Sequence, residues 1–194
     1  MFKKKYIFLI INNTSDVPIE QLLNKNITII LRIEKKINIE NLISFRVRCK
    51  KNRVKLFIAN DIMLMNKLKA DGLYISAWNK SLKARFLDKK RFSIIGACHN
   101  YREINIKINQ GCRYLLLSRL FKTNYKFKKG FLGVIKFNLL CINTKIKFIP
   151  LGGIKLSKIN ALHGVLSNGL AVSSDIKKKP ANIINRLFYN SKLN

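Results

Sequence analysis

Eight short apolar runs, rich in β-branched and aromatic residues, recur along the chain with mixed polar segments between them. They are YIFLII (6–11), ITIILRI (27–33), VKLFIA (54–59), GLYIS (72–76), FSIIGA (92–97), YLLLS (114–118), KFIPLG (147–152) and LAVSS (170–174). Each has the length and composition of a β-strand. They are nearly continuous rather than alternating, the pattern of strands covered on both faces, which predicts a parallel sheet. Their starts lie 18 to 33 residues apart, which leaves room for a helix and two loops in each interval.

The intervals carry helical periodicity. YREINIKINQ (101–110) places Tyr101, Ile104 and Ile108 on one face and turns Arg102, Glu103 and Lys107 away. DIMLMNKLKA (61–70) is denser in apolar residues, as expected of a helix pressed on a sheet, and a glycine follows each segment. Eight β-α units in 194 residues predict an α/β chain folded as one small (β/α)8 barrel domain, with a basic helix or tail from about residue 177. A doubly wound open sheet is the alternative.

Composition narrows the function classes. A hydrophobic content of 48%, with twelve Phe and six Tyr, excludes a disordered chain. Against 39 Lys and Arg stand nine acids, a net charge of +30 that suits an anionic partner. Lys, Ile and Asn are in excess together, however, as an A+T-rich coding sequence would produce whatever the function. The basic residues are spread through nearly every segment, with KKKP (177–180) the one local cluster. That distribution does not predict a dedicated nucleic-acid partner. The four cysteines are widely spaced and form no zinc-site pair. MFKKKYIFLIINN reads as a first strand rather than a signal peptide. No apolar run approaches the roughly 20 residues of a membrane span, so no membrane partner and a cytoplasmic location are expected.

In such barrels the chemistry sits where strands end and loops lead to helices. Those ends carry Arg32, Glu34 and Lys35; Asn60 and Asp61; Ser76, Trp78 and Asn79; and Cys98, His99 and Asn100. Further along come Arg119, Lys122, Thr123 and Lys126, then Gly152-Gly153, then Ser173 and Ser174. Two glycines before a helix start can turn backbone N–H groups toward an anion, and the serine pair adds donors beside them. Lys122 and Lys126 could meet a second anion, with Asp61 holding a divalent cation between. Each residue also has a purely structural reading: Asp61 as a helix N-cap, Gly152-Gly153 as a tight turn, Trp78 as packing. His99 and His163 have no partner at a catalytic or ligand spacing and read as structural.

The segments ANDIMLMNKLKADGLYIS, IIGACHNYREI, QGCRYLLLSRLFKTNYK, IPLGGI and NGLAVSSDI, in this order, together resemble the thiamine phosphate synthase/TenI family of small (β/α)8 barrels. The resemblance implies a Mg2+-dependent transferase that joins hydroxymethylpyrimidine diphosphate to thiazole phosphate with loss of pyrophosphate. By position it implies pyrophosphate contacts for Asn60 and Lys126, the pair closest to the catalytic step, and magnesium binding for Asp61. Thr123 matches the threonine of the family's F-P-T-x-T-K loop. Gly153 and Ser174, flanked by Gly152 and Ser173, match the thiazole-phosphate binders, and Arg32 matches the Arg of a Q-x-R-x-K strand. Ile30 stands where that strand has Gln, and Glu34 where it has Lys. The family's second magnesium acid falls on Asn79, whose carbonyl can still ligate Mg2+. Two further readings remain: a TenI-like protein that binds or isomerises thiazole phosphate, and a basic barrel that binds RNA or a membrane surface.

Overall fold

Every strand needs two covered faces, and a closed ring with helices outside supplies them. The computed structural model describes residues 6–22, 26–33, 38–88, 91–123, 130–167 and 169–173. Its strands are β1 (Tyr6–Ile11), β2 (Ile27–Leu31), β3 (Lys55–Ala59), β4 (Gly72–Ile75), β5 (Ser93–Cys98), β6 (Tyr114–Ser118), β7 (Lys147–Leu151) and β8 (Gly169–Val172). All pair in parallel, each with the next in sequence, and β8 closes on β1 with Tyr6 opposite Gly169. The expected (β/α)8 barrel is observed, and the open sheet is excluded.

The pleat explains the unbroken apolar runs. Phe8, Ile10, Ile30, Phe57, Tyr74, Ile95, Leu116, Ile149 and Ala171 point inward and fill the barrel. Their neighbours, among them Ile7, Leu9, Ile29, Leu56, Ile58, Leu73, Leu115 and Leu170, point outward against the helices. Alternation is present in direction but invisible in polarity, because both sides are dry. Gly72 is where the interior needs space: a Cβ there would lie 2.4 Å from the Phe57 ring and 2.1 Å from the Ser93 carbonyl oxygen.

The outer layer is thinner than expected. Helices α1 (Ile39–Lys51), α2 (Ile62–Lys67), α3 (Tyr101–Asn109), α4 (Gly133–Ile142) and α5 (Ile159–His163) fill five intervals. Between β1 and β2 the described residues form only single 3-10 turns, at Thr14–Asp16 and Ile19–Gln21. Pro18 sits between them and cannot donate to a continuing helix. Between β4 and β5 a 3-10 segment, Leu82–Phe86, replaces a helix, because Ser76 to Ser81 is spent on a loop at the rim.

Helix α3 also faces differently from its apolar pattern. Ile104 and Lys107 are buried, whereas Tyr101 and Ile108 are 65% and 45% exposed. Asn100 caps the helix, its side chain accepting from the Glu103 N–H. Gly96 of β5 then opens a groove for the Lys107 stem; a Cβ at Gly96 would lie 2.9 Å from Lys107 Cδ. A lysine stem can bury like a hydrocarbon if its ammonium finds partners.

At the N-terminal end of the strands, Arg46 of α1 binds Asp71 through 2.7 and 3.2 Å hydrogen bonds and donates to the Lys69 carbonyl. Asp71 also accepts from the Leu56 N–H at 2.8 Å. This pair ties α1 to β3 and β4 far from the loops at the opposite end. Cys49, Cys98 and Cys112 are buried, and burial pushes each thiol up to about 12. Thiolate is the reactive form, so native protein should expose Cys141 first to an aromatic disulfide reagent. The other three should react only as the chain unfolds, which a thiol titration with and without denaturant measures.

Candidate active site

A cleft of about 600 Å³ opens at the C-terminal ends of β2 to β7. Its wall takes Arg32 and Ile33 after β2, Ala59 and Asn60 at β3, and Tyr74, Ser76, Ala77 and Trp78 at β4. Ala97 and His99 at β5, Ser118 at β6 and Leu151 at β7 complete it. The size suits a small phosphorylated molecule.

Asn60 is the hinge of the rim. Its N–H continues the β-ladder to the Tyr74 carbonyl at 2.8 Å, and its φ of 60° then turns the chain sharply. Asparagine tolerates that left-handed conformation better than most side chains. The turn points its amide at the next loop: Oδ1 accepts from the Ser76 N–H (2.9 Å) and from Asn79 Nδ2 (3.1 Å), and Nδ2 donates to Ser76 Oγ (2.8 Å). One side chain thus joins the ends of β3 and β4. Asp61, exposed, caps α2 by accepting from the Leu64 N–H at 2.8 Å through Oδ1, leaving Oδ2 toward solvent chemistry. Asn79 accepts from the Ser81 N–H at 3.0 Å.

Beneath the cleft the barrel interior is apolar: Ile30 is fully buried there, in one cluster with Tyr74, which lines the wall. Burial pushes the Tyr74 phenol up to about 12 against the opposing pull of Arg32, so Tyr74 stays neutral across the physiological range. Of the two readings of Trp78, the rim position holds and packing does not: it is 74% exposed.

His99 does have a partner. Its Nδ1 lies 2.9 Å from Glu103 Oε2, which also accepts from the His99 N–H at 2.8 Å. Burial raises the Glu103 pKa, but the donors of His99 and Asn100 outweigh it and hold the carboxyl below its usual value. With Nδ1 committed, Nε2 is the nitrogen His99 offers to the cleft. The i, i+4 spacing was the available signal, and it was hidden because Glu103 reads as a solvent-facing helix residue.

Across the rim, Arg119 donates to Thr123 Oγ1 (2.8 Å) and to the Gly130 carbonyl (2.7 Å), so it spans the two ends of the segment after β6. The loop after β7 packs directly on it: the Leu120 and Phe121 N–H groups donate to the Leu151 and Gly152 carbonyls. Gly153 makes this approach possible. It has φ 70°, and a Cβ there would lie 2.5 Å from the Phe121 carbonyl oxygen. Ser173, half-buried, leaves β8 next to this turn, since Leu151 pairs with Ala171. Lys126, Ser174, Glu34 and Lys35 lie outside the described residues. The structure therefore brings Arg32 and Asn60 into the cleft wall and sets Asp61 and Asn79 beside them. Thr123, Gly152, Gly153 and Ser173 occupy the β6 to β8 side of the same end.

Among the described residues no three His, Cys, Asp or Glu side chains gather to hold a metal alone. The donor set still fits magnesium, which is commonly held by one or two carboxylates together with substrate phosphates. Asp61 is the available carboxylate.

A parallel ring of eight strands with polar residues gathered at the carboxyl ends defines a barrel of the (β/α)8 class. The sequence profile of thiamine monophosphate synthase matches residues 8–176, and the chain belongs to that family. A thiamine-phosphate synthase of Pelagibacter ubique is 33% identical, over 95% of this chain and 96% of that protein. One of Flavobacterium johnsoniae is 26% identical over 74% of each. The solved thiamine phosphate pyrophosphorylase of Pyrococcus furiosus superposes with a TM-score of 0.72 at 15% identity, covering 96% and 98% of the two chains; that likeness concerns the fold. Among the described residues no helix is long and apolar enough to cross a membrane.

Proposed function

We propose that this chain is a thiamine phosphate synthase. It would join 4-amino-5-hydroxymethyl-2-methylpyrimidine diphosphate to 4-methyl-5-(2-phosphoethyl)thiazole. The bond from the pyrimidine methylene carbon to the diphosphate oxygen breaks, and its electron pair leaves with pyrophosphate. The thiazole nitrogen then donates its lone pair to that carbon. Family membership and the near full-length relatives support the transferase reading. The observation that carries it is the shared rim, where Asn60 locks the β3 and β4 ends together beside the Asp61 carboxylate.

Magnesium, when bound, neutralises charge on the leaving pyrophosphate. Asp61 would hold it, with Asn79 Oδ1, which also accepts from the Ser81 N–H, as a second oxygen. The chain's own part is positioning and charge placement. Asn60 and Arg32 would meet the diphosphate, as would Thr123 and, by its place in the sequence, Lys126. The backbone at Gly152-Gly153, with Ser173 and Ser174, receives the thiazole phosphate. The apolar part of the wall, Ala59, Tyr74 and Ala97 among it, gives the pyrimidine ring a dry surface.

Purified protein incubated with both substrates and Mg2+ should form thiamine phosphate, read by its oxidation to fluorescent thiochrome phosphate. No product, with thiazole phosphate still raising the melting temperature, would replace this reading with that of a thiazole-phosphate-binding barrel.

A further inference from the structure

Lys107 and Gln110, one turn apart on the inner side of α3 and its C-cap, are both fully buried. Burial lowers the lysine pKa, and an ammonium taken out of water demands compensation. Its three donors are all used: Nζ reaches the Ser76 carbonyl at 2.8 Å, the Asn79 carbonyl at 2.6 Å and Gln110 Oε1 at 3.0 Å. The Gln110 amide is used as fully, because Nε2 donates to the Asn79 carbonyl at 3.0 Å and to the Ser81 carbonyl at 2.8 Å. Apart from Gln110 Oε1, these acceptors are backbone oxygens of one loop, 76–81. The same loop is held from the cleft side by Asn60. It carries Trp78 on the rim and Asn79, whose amide donates to Asn60 Oδ1.

We propose that the buried Lys107–Gln110 pair is a latch that positions the loop after β4, and through it the Asn60 amide and Trp78, for binding of the diphosphate substrate. The chemistry suits the task. A loop of consecutive residues needs its carbonyls satisfied on the buried side, and Gln110 alone supplies two N–H donors. The ammonium adds a second, charge-assisted donor at Asn79 and extends the grip to Ser76, the residue whose N–H and hydroxyl meet Asn60. Without the lysine, Ser76 would be fixed from one side only. Asn60 would then share its amide with a loop free to shift. The binding consequence rests on the synthase reading, whereas the latch itself does not.

Trp78 is the chain's single tryptophan, so its fluorescence anisotropy reports this loop alone. Lys107→Met should lower the residual anisotropy of Trp78 well below the melting temperature. It should also raise the KM for hydroxymethylpyrimidine diphosphate about tenfold or more while leaving that for thiazole phosphate within about twofold, the scale of a small misplacement transmitted to a site. Arg46→Met, which breaks the ion pair at the opposite end of the barrel, controls for lost stability and should change neither readout. If Lys107→Met does not fold, Gln110→Met serves with the same two readouts. Unchanged anisotropy, lowered anisotropy with unchanged Michaelis constants, or equal effects from Arg46→Met would each overturn the proposal. Were the wild-type chain to make no thiamine phosphate, the synthase reading would fail on that arm, and the anisotropy would still decide the latch.

Discussion

Asp61→Asn should leave the protein as stable as the parent and lower kcat/KM by about a hundredfold or more, on the order of 3 kcal/mol of lost transition-state stabilisation. The two outcomes separate because Asp61 has an observed role and a proposed one. As a cap it accepts one hydrogen bond from the Leu64 N–H, and asparagine does this nearly as well as aspartate. As the proposed cation ligand it would contribute a negative charge that asparagine lacks. Asp61→Ala should lose the activity and, in addition, about 1 kcal/mol of helix capping, or roughly 2–4 °C in melting temperature for a chain of this size. Thermal melts beside magnesium-dependent turnover test both. Full turnover by Asp61→Asn would reduce the residue to its cap.

Gly153→Ala should be the most damaging single methyl group at the rim. The added carbon would stand 2.5 Å from the Phe121 carbonyl oxygen and 2.8 Å from its carbon, with the backbone at φ 70°. Neither obstacle is the end of a flexible side chain, so the β6 and β7 loops must separate. A destabilisation of about 2–4 kcal/mol follows from combined strain and clash, visible as a lower denaturation midpoint. The melting-temperature rise on adding thiazole phosphate should shrink or vanish with it. For Gly152→Ala the nearest atoms belong to Arg119, at 3.1 to 3.3 Å, though also at positive φ, and the change should be milder. Equal behaviour of the two variants would mean that the approach to Phe121 is not what fixes this turn.

The barrel was legible because each strand declares its burial on both faces by composition alone. Runs such as YLLLS admit no solvent side, and eight of them in sequence leave few ways to arrange a parallel sheet. Rim residues were legible for the same reason: once strand ends are known, the polar residues that follow are at one end of the barrel. What stayed hidden depends on the opposing surface. Lys107 reads as solvent-facing until Gly96 is seen to make room for its stem. Glu103 reads as a surface charge until His99 turns back onto it. Trp78 reads equally as rim or packing until the loop that carries it is found pinned from below, with its ring left outside. The helix expected between β4 and β5 gave way to that same loop, which no periodicity announces. Asn60-Asp61 was legible as a cap followed by a helix, but the positive φ that aims Asn60 across to Ser76 was not.

The closing contact between Tyr6 and Gly169 has a consequence for the chain's life in a crowded solution. Eight apolar, β-branched segments would each be an adhesive template if left as the margin of an open sheet. A ring has no margin, so native molecules offer nothing for a stray strand to extend. Protection is therefore a property of closure, and it lapses whenever the ring parts. The net charge of +30 then acts as a second safeguard, keeping parted chains at a distance by mutual repulsion.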